Sequence, residues 1–209
     1  MSDKIVKIGF HTLRENIEND SMDENFLLFD NFSEGSQMVE WMSDMDYPVR
    51  LNRMTMIAFC LKGYMKFNLG LKKMLMSENQ IYVILPDQII QTTEISPDFQ
   101  VGITVVIRDF FNSQNHFIET INLHNRLMEQ SHFNLSEREI QEYVQIFKMM
   151  KEKYADKQHH YRMQIIQNYF QITFYNLYNL IINQQKVAEK SMLNNNMAQA
   201  IAINRGKIK

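Results

Sequence analysis

With 209 residues, 45% of them hydrophobic and 22% charged, the chain has the make-up of an ordinary soluble globular protein, long enough for one large domain or a domain with a helical annex. A formal net charge of −2 and a pI of about 6.3 leave no basic surplus to neutralise phosphates, which argues against stand-alone nucleic-acid binding. A single cysteine, Cys60, rules out an intrachain disulfide and a multi-thiolate zinc site; lying inside an apolar run, it reads as buried and inert in a reducing compartment.

The opening stretch MSDKIVKIGFHTL has scattered apolar positions and no small-residue cleavage site, so it does not read as a secretory signal. Residues 1–35 read as an irregular, partly acidic arm with one short strand at Phe26–Phe29. Strand signals then run from 37 to 107. Met54–Leu61 is apolar almost throughout, as a strand covered on both faces is. Lys62-Gly63 is a turn signal and Tyr64–Leu69 alternates, so Leu51–Leu69 is predicted to form a hairpin. Leu71–Met76, Gln80–Leu85, Gln88–Ile95 and Val101–Ile107 follow, separated by Ser77-Glu78-Asn79, by Pro86-Asp87 and by Ser96-Pro97-Asp98. Short strands at near-regular spacing with no helix between them predict an antiparallel sandwich or barrel, with Pro86 at one corner.

After Arg108 the pattern becomes helical. Asp109 opens a short helical turn through Phe111, and 116–130 is amphipathic, with Phe117, Ile121, Leu127 and Met128 apolar. Ser136 and Glu139 stand at capping-box spacing and predict a helix to about Tyr154, with Ile140, Tyr143, Val144, Phe147 and Met150 on one face. Beyond a His159-His160 connector, a long helix is predicted from roughly Tyr161 to Lys186. Met163, Ile166, Phe170, Phe174, Leu177 and Ile181 form its seam, widened by Ile165, Tyr169, Ile172 and Tyr175. That face is broader than one packed neighbour needs, so the seam reads as the interface of a symmetric homodimer, the plainer reading being packing on the adjacent helix alone. The Asn and Gln residues along it make a membrane span too costly. Val187–Lys209 is polar, Asn-rich and basic at its end, and reads as a flexible tail. The predicted plan is α+β with segregated elements: an arm (1–35), a β barrel or sandwich (36–108), a helical dimerisation region (109–186) and the tail (187–209).

The block LNRMTMIAFCLKGYMKFNLGLKKMLMSENQIYVILPDQIIQ, followed by ISPDFQVGITVVIRDFF, resembles the N-terminal sensing domain of AraC-type bacterial transcription regulators, of the kind common in Bacteroidetes. The elements that carry the resemblance are the Lys62-Gly63 turn, the Leu85-Pro86 corner with Gln88 and Ile90, and the Ser96-Pro97-Asp98-Phe99 loop leading to a strand and then Asp109-Phe110-Phe111. It covers roughly residues 30–185. It implies a cupin-like β barrel that binds a small-molecule effector in the cytoplasm, followed by helices that dimerise. In the family a pair of helix-turn-helix units then reads DNA. The stretch after Lys186 has no two-helix pattern with a basic recognition helix, so DNA contact is expected only through a module outside these residues. An excised sensor domain and a natural regulator without its reader both fit this expectation.

Enzymatic cupins aim several His and a carboxylate into the barrel to hold a metal. Leu51–Ile107 contains no histidine; His11, His116, His124, His132, His159 and His160 all lie outside it. The corner offers Gln91, Thr93 and Glu94 instead. A metal-free, cofactor-free barrel is expected, with Trp41, Tyr64, Tyr82, Gln91 and Thr93 as a candidate pocket for a neutral polar ligand. The alternative is a packed core with Gln91 and Thr93 facing solvent. The spacing of eight between His116, His124 and His132 turns each away from the last, so these read as surface residues. No nucleophile elbow or glycine-rich phosphate loop is present. The expected function is therefore non-enzymatic sensing and dimerisation. A stand-alone cupin-like isomerase or dioxygenase and a ligand-free interaction module are the rival readings.

Overall fold

The computed structural model describes residues 5–16, 25–32, 42, 47–107 and 124–206, excepting the side chains of 14–16, 185 and 187–206. In chain order the elements are β1 (Val6–Ile8), α1 (Phe10–Asn16), β2 (Phe26–Asp30), β3 (Val49–Leu51), β4 (Met54–Lys62), β5 (Tyr64–Leu69), β6 (Lys72–Ser77), β7 (Gln80–Ile84), β8 (Ile89–Ile95), β9 (Gln100–Ile107), β10 (His132–Asn134), α2 (Glu137–Ala155) and α3 (Arg162–Gly206). Residues 124–129 are also helical. The chain divides into two compact units, Met1–Tyr169 and Phe170–Lys209.

The strands make two five-stranded sheets. Sheet A has the order β1-β3-β8-β5-β6 and sheet B the order β10-β7-β4-β9-β2. Each pairing is antiparallel except that of β1 with β3. Among the described residues no ladder joins the sheets, so the architecture is an α+β sandwich and not a closed barrel. The inner faces share one core, with Val49, Leu51, Met65 and Phe67 from sheet A meeting Met54, Met56, Val101 and Ile103 from sheet B.

The near-continuous apolar run of β4 follows from cover on both sides. Met54, Met56, Ala58 and Cys60 enter the core between the sheets. Phe59 points the other way and meets Phe147 of α2 edge to face, with ring centroids 5.4 Å apart. Tyr154 of α2 meets Phe26 in the same manner at 5.7 Å, and Lys151 Nζ lies 2.5 Å from Asp30 Oδ2. Gly102, opposite Phe59 in the ladder, leaves room for that ring, since a Cβ at 102 would come within 2.8 Å of its Cε2. Helix α2 starts as predicted. Ser136 is its N-cap, the Ser136 side chain accepts from the Glu139 backbone N–H, and the Glu139 carboxylate accepts from the Ser136 N–H at 2.7 Å.

Three expectations change. Met54–Leu61 and Tyr64–Leu69 are strands, but they lie in different sheets and do not pair, so Lys62-Gly63 is a crossover corner and not a hairpin turn. Gly63 has φ +70, and a Cβ there would clash with Ser96 Oγ and come within 2.9 Å of Phe99 Cα. The local hairpin is instead β5–β6, closed by Gly70-Leu71 with Gly70 at φ +59. The arm holds the strand expected at Phe26–Phe29, where β2 pairs with β9, and a further one that was not expected, where β1 pairs with β3. Three-residue β1 is too short to show a period, and only pairing satisfies its backbone. Residues 187–206, expected as a flexible tail, continue α3 to Gly206; no proline interrupts them, and Ala, Met and Leu favour the helix. The turn at 109–111 and the helix start at 116 lie outside the described residues.

The Pro86 corner carries the chain from sheet B to sheet A as expected. Asp87 takes φ 65, its N–H donates to the Leu51 carbonyl at 2.7 Å, and Gln88 Oε1 accepts from the Leu85 N–H at 2.7 Å. The Gln88 side chain thus replaces a backbone partner at a position where the strand has just ended.

Candidate functional site

A cavity of about 40 Å³ lies between the inner faces of the two sheets. Its wall includes Ile8 of β1, Val49 and Leu51 of β3, Phe67 of β5 and Ile84 of β7. Four methionines, Met42, Met56, Met65 and Met76, join them. The polar side chains among the described lining residues are Tyr82 and Thr92; no Lys, Arg, Asp or Glu is among them. Ligand pockets for drug-sized molecules run to about 300–1,000 Å³, so this space is far smaller than such a molecule needs. Methionine is the side chain best suited to let such a wall yield, being unbranched, polarisable and rich in rotamers.

Of the candidate pocket residues, the structure places Tyr82 in this wall. Its ring packs edge to face on Phe67 with centroids 5.3 Å apart, and its hydroxyl donates to the Leu75 carbonyl at 2.8 Å. Burial raises its pKa to about 12, so the phenol stays protonated. Gln91, Thr93 and Tyr64 are not among the lining residues. Asn68 Nδ2 donates to Gln91 Oε1 at 3.2 Å, Thr93 is exposed, and the Tyr64 hydroxyl donates to Glu94 at 2.5 Å. Trp41 lies outside the described residues.

The physical reason is alternation: Ile90 and Thr92 line the cavity, so Gln91 between them is turned to the other face, and a β-bulge follows in β8. Lys66 pairs with Glu94 and Phe67 with Thr92, leaving Thr93 unmatched. The extra residue resets the alternation beyond Thr92, so Glu94 lies opposite Lys66 and Ile95 packs against the core. The cavity wall is apolar, and Gln91 and Thr93 face away from it, as in the alternative reading of a packed core with both facing solvent. On the outer face of sheet A Lys66 Nζ also reaches Glu94 at 2.7 Å, and together with the Tyr64 hydroxyl it holds the Glu94 carboxyl below its ordinary value. The signal available in the sequence was the spacing of Ile90 and Ile95. An odd interval cannot bury both on one face of an unbulged strand.

The reading of His132 is corrected. It is not a surface histidine but the first residue of β10, opposite Tyr82 in the ladder. The two rings stack with centroids 5.1 Å apart and planes 16° from parallel. Its Nδ1 is buried without a hydrogen-bond partner, and burial holds its pKa below the usual histidine value. His124 is exposed, and His159 Nδ1 accepts from the Tyr161 N–H at 3.1 Å in the connector before α3. Cys60 is fully buried with its thiol directed at the Lys62 and Gly63 carbonyls, and burial pushes its pKa to about 12. Among the described residues no group of three or more His, Cys, Asp or Glu converges as a metal site would require.

Of the helical seam, Ile166, Phe170, Leu177 and Ile181 are already buried in the single chain, whereas Met163 and Phe174 are half-buried. Among the described residues the exposed large apolar side chains of α3 are Ile172 and Tyr175, and Tyr161 just before it is exposed as well. Phe174 meets Tyr175 and stacks with Tyr178, at centroid distances of 5.9 and 6.5 Å. Among the described residues no helix is long and apolar enough to cross a membrane.

A scan against protein-family models matches no family, and a search of curated proteins finds no match. Solved structures do resemble the chain. KdgF from Halomonas sp. is 16% identical over 41% of this chain and 73% of its own, with a TM-score of 0.32. Apo ToxT from Vibrio cholerae strain SCE256 is 16% identical over 76% of this chain and 59% of its own, with a TM-score of 0.45. Unsaturated fatty acid bound ToxT from that strain is 12% identical over 78% and 57%, with a TM-score of 0.38. The chain thus spans a little under three fifths of the length of the ToxT chains. At these values the likenesses assign neither a ligand nor an activity to it.

Proposed function

We propose that the chain is a small-molecule-sensing and dimerisation domain of AraC type, acting without catalysis, whose effector is an apolar molecule held between the two sheets. The observation that carries this is the wall of the cavity: apolar on nearly every side, and without an acid or base in its described lining. Such a space binds by excluding water and offers no group to move a proton. The motif resemblance over residues 30–185 supports the same role. Dimerisation is assigned to the exposed strip of α3 at Ile172 and Tyr175, beside the seam and not on its buried part. The small volume favours one other reading, a ligand-free interaction module with a filled core.

Calorimetric titration of apolar ligands of graded size, with thermal unfolding alongside, decides between them. A ligand at 100 times its Kd is expected to stabilise the fold by about 2.7 kcal/mol, with carbon-13 methyl shifts at Met56, Met65 and Met76. A panel with no stabilisation and no methyl shifts leaves the interaction module. For pairing, light scattering is expected to give a dimer that Tyr175→Glu dissociates without loss of fold, and a wild-type monomer would end that part of the proposal.

A further inference from the structure

Methionine supplies 16 of the chain's 209 residues but four of the sixteen in the cavity wall, so sulfur is concentrated there. Two of the four, Met65 of β5 and Met76 of β6, are directly opposite in the β5–β6 ladder and lie side by side on the inner face of sheet A. Phe67 stands two residues along β5 from Met65 and shares that face. Its ring meets Tyr82 edge to face, with centroids 5.3 Å apart. Met56 lines the cavity from sheet B. One part of the wall is thus thioether and aromatic ring, while the part built by β1 and β3 is aliphatic.

An aliphatic wall receives an apolar molecule by excluding water and does not tell a flat ring from a saturated one of similar size. A thioether does, because its polarisable sulfur is attracted to the edge of an aromatic ring at about 5 Å. Two rings packed edge to face attract a third through the same quadrupole that holds them together. Leucine in place of methionine fills a similar volume and offers no sulfur. The space must widen to admit a ring, and unbranched methionines are the side chains that change rotamer with least strain while staying in contact with what enters.

We propose that the part of the effector entering the cavity is a small aromatic ring, selected over a saturated ring of the same outline by the thioethers of Met65 and Met76 together with the Phe67–Tyr82 pair. The inference rests on the reading of the cavity as a ligand pocket and adds the class of ligand to it.

The test uses the full chain and matched probes: benzene with cyclohexane, toluene with methylcyclohexane and ethylbenzene with ethylcyclohexane, each titrated against the methionine carbon-13 methyl signals. The ratio of saturated to aromatic Kd is taken for the wild type and for the double variant Met65→Leu, Met76→Leu. Comparing that ratio between the two chains cancels the difference in how the probes themselves dissolve in water. The double variant is expected to lose about tenfold of the aromatic preference, the worth of two sulfur–ring contacts, with Met56 as the remaining reporter. Should it fail to fold, Met65→Leu alone reads the same preference and is expected to lose about threefold. An unchanged ratio overturns selection by sulfur and leaves the apolar pocket standing. Binding of the saturated rings without their aromatic partners overturns the aromatic class. Failure of every probe to move a methionine signal removes the pocket and the selection together.

Discussion

The outer faces of the two sheets meet opposite fates. That of sheet B is roofed by α2, with Phe147 on Phe59, Tyr154 on Phe26 and Lys151 on Asp30. That of sheet A carries a ladder of polar pairs in the open, Asn68 with Gln91 and Lys66 with Glu94. Sheet B is thus buried on both sides and sheet A on one. The difference is written into their strands, since β4 is apolar nearly throughout while β5 alternates. It also sorts the chemistry, for the polar residues of β8 serve solubility and the cavity is left to apolar side chains.

The most forceful way to break this contrast is Phe147→Ala, which removes the ring that joins roof to sheet. It is expected to cost about 3–5 kcal/mol, measured by urea unfolding, and a cost near zero would mean that α2 does not hold sheet B. A smaller effect lies at the rim where the two sheets end. His132 has its pKa lowered by burial, so the folded chain binds that proton less readily than the unfolded one. The stability it permits is present above the ordinary histidine value of 6.5 and declines as pH falls below it. Unfolding midpoints from pH 7.5 to pH 5 should fall in the wild type and fall less steeply in His132→Phe; parallel profiles would place the ring in water. The smallest effect is expected on the bare face. Lys66→Ala cuts a solvent-exposed ion pair and should leave the midpoint almost unmoved, more so at high salt.

How much of this was legible depends on what periodicity encodes. A period reports which face of an element is covered, and so β4 and α2 were readable from their residues alone. The Ser136–Glu139 cap was readable too, because it is a local bond pattern. Sheet membership was not. Lys62-Gly63 has the chemistry of a turn, and nothing nearby distinguishes a turn that pairs its flanks from one that sends them to opposite sheets. The site suffered for the same reason. Alternation puts Gln91 and Thr93 on one face without saying which, and the cavity side is taken by Ile90 and Thr92. His132 reads as a surface residue by its spacing of eight to His124, yet it joins a three-residue strand whose partner lies far back in the chain. The burial of Tyr82 was legible, because a large aromatic in an apolar run seldom faces water.

The alternation of successive strands between sheets has a kinetic consequence. Of the ladders in the sandwich, only β5–β6 closes across a tight turn; β2 waits for β9, and β10 returns to β7 after the sheet strands have been made. Distant pairings incur the entropy of closing a large loop before any contact rewards it, so such domains fold over about milliseconds to seconds. On a ribosome the apolar strand β4 emerges with neither neighbour yet synthesised, and its edges stay unsatisfied until residue 107 has followed. The interval in which this chain is most prone to aggregate is therefore set by its topology.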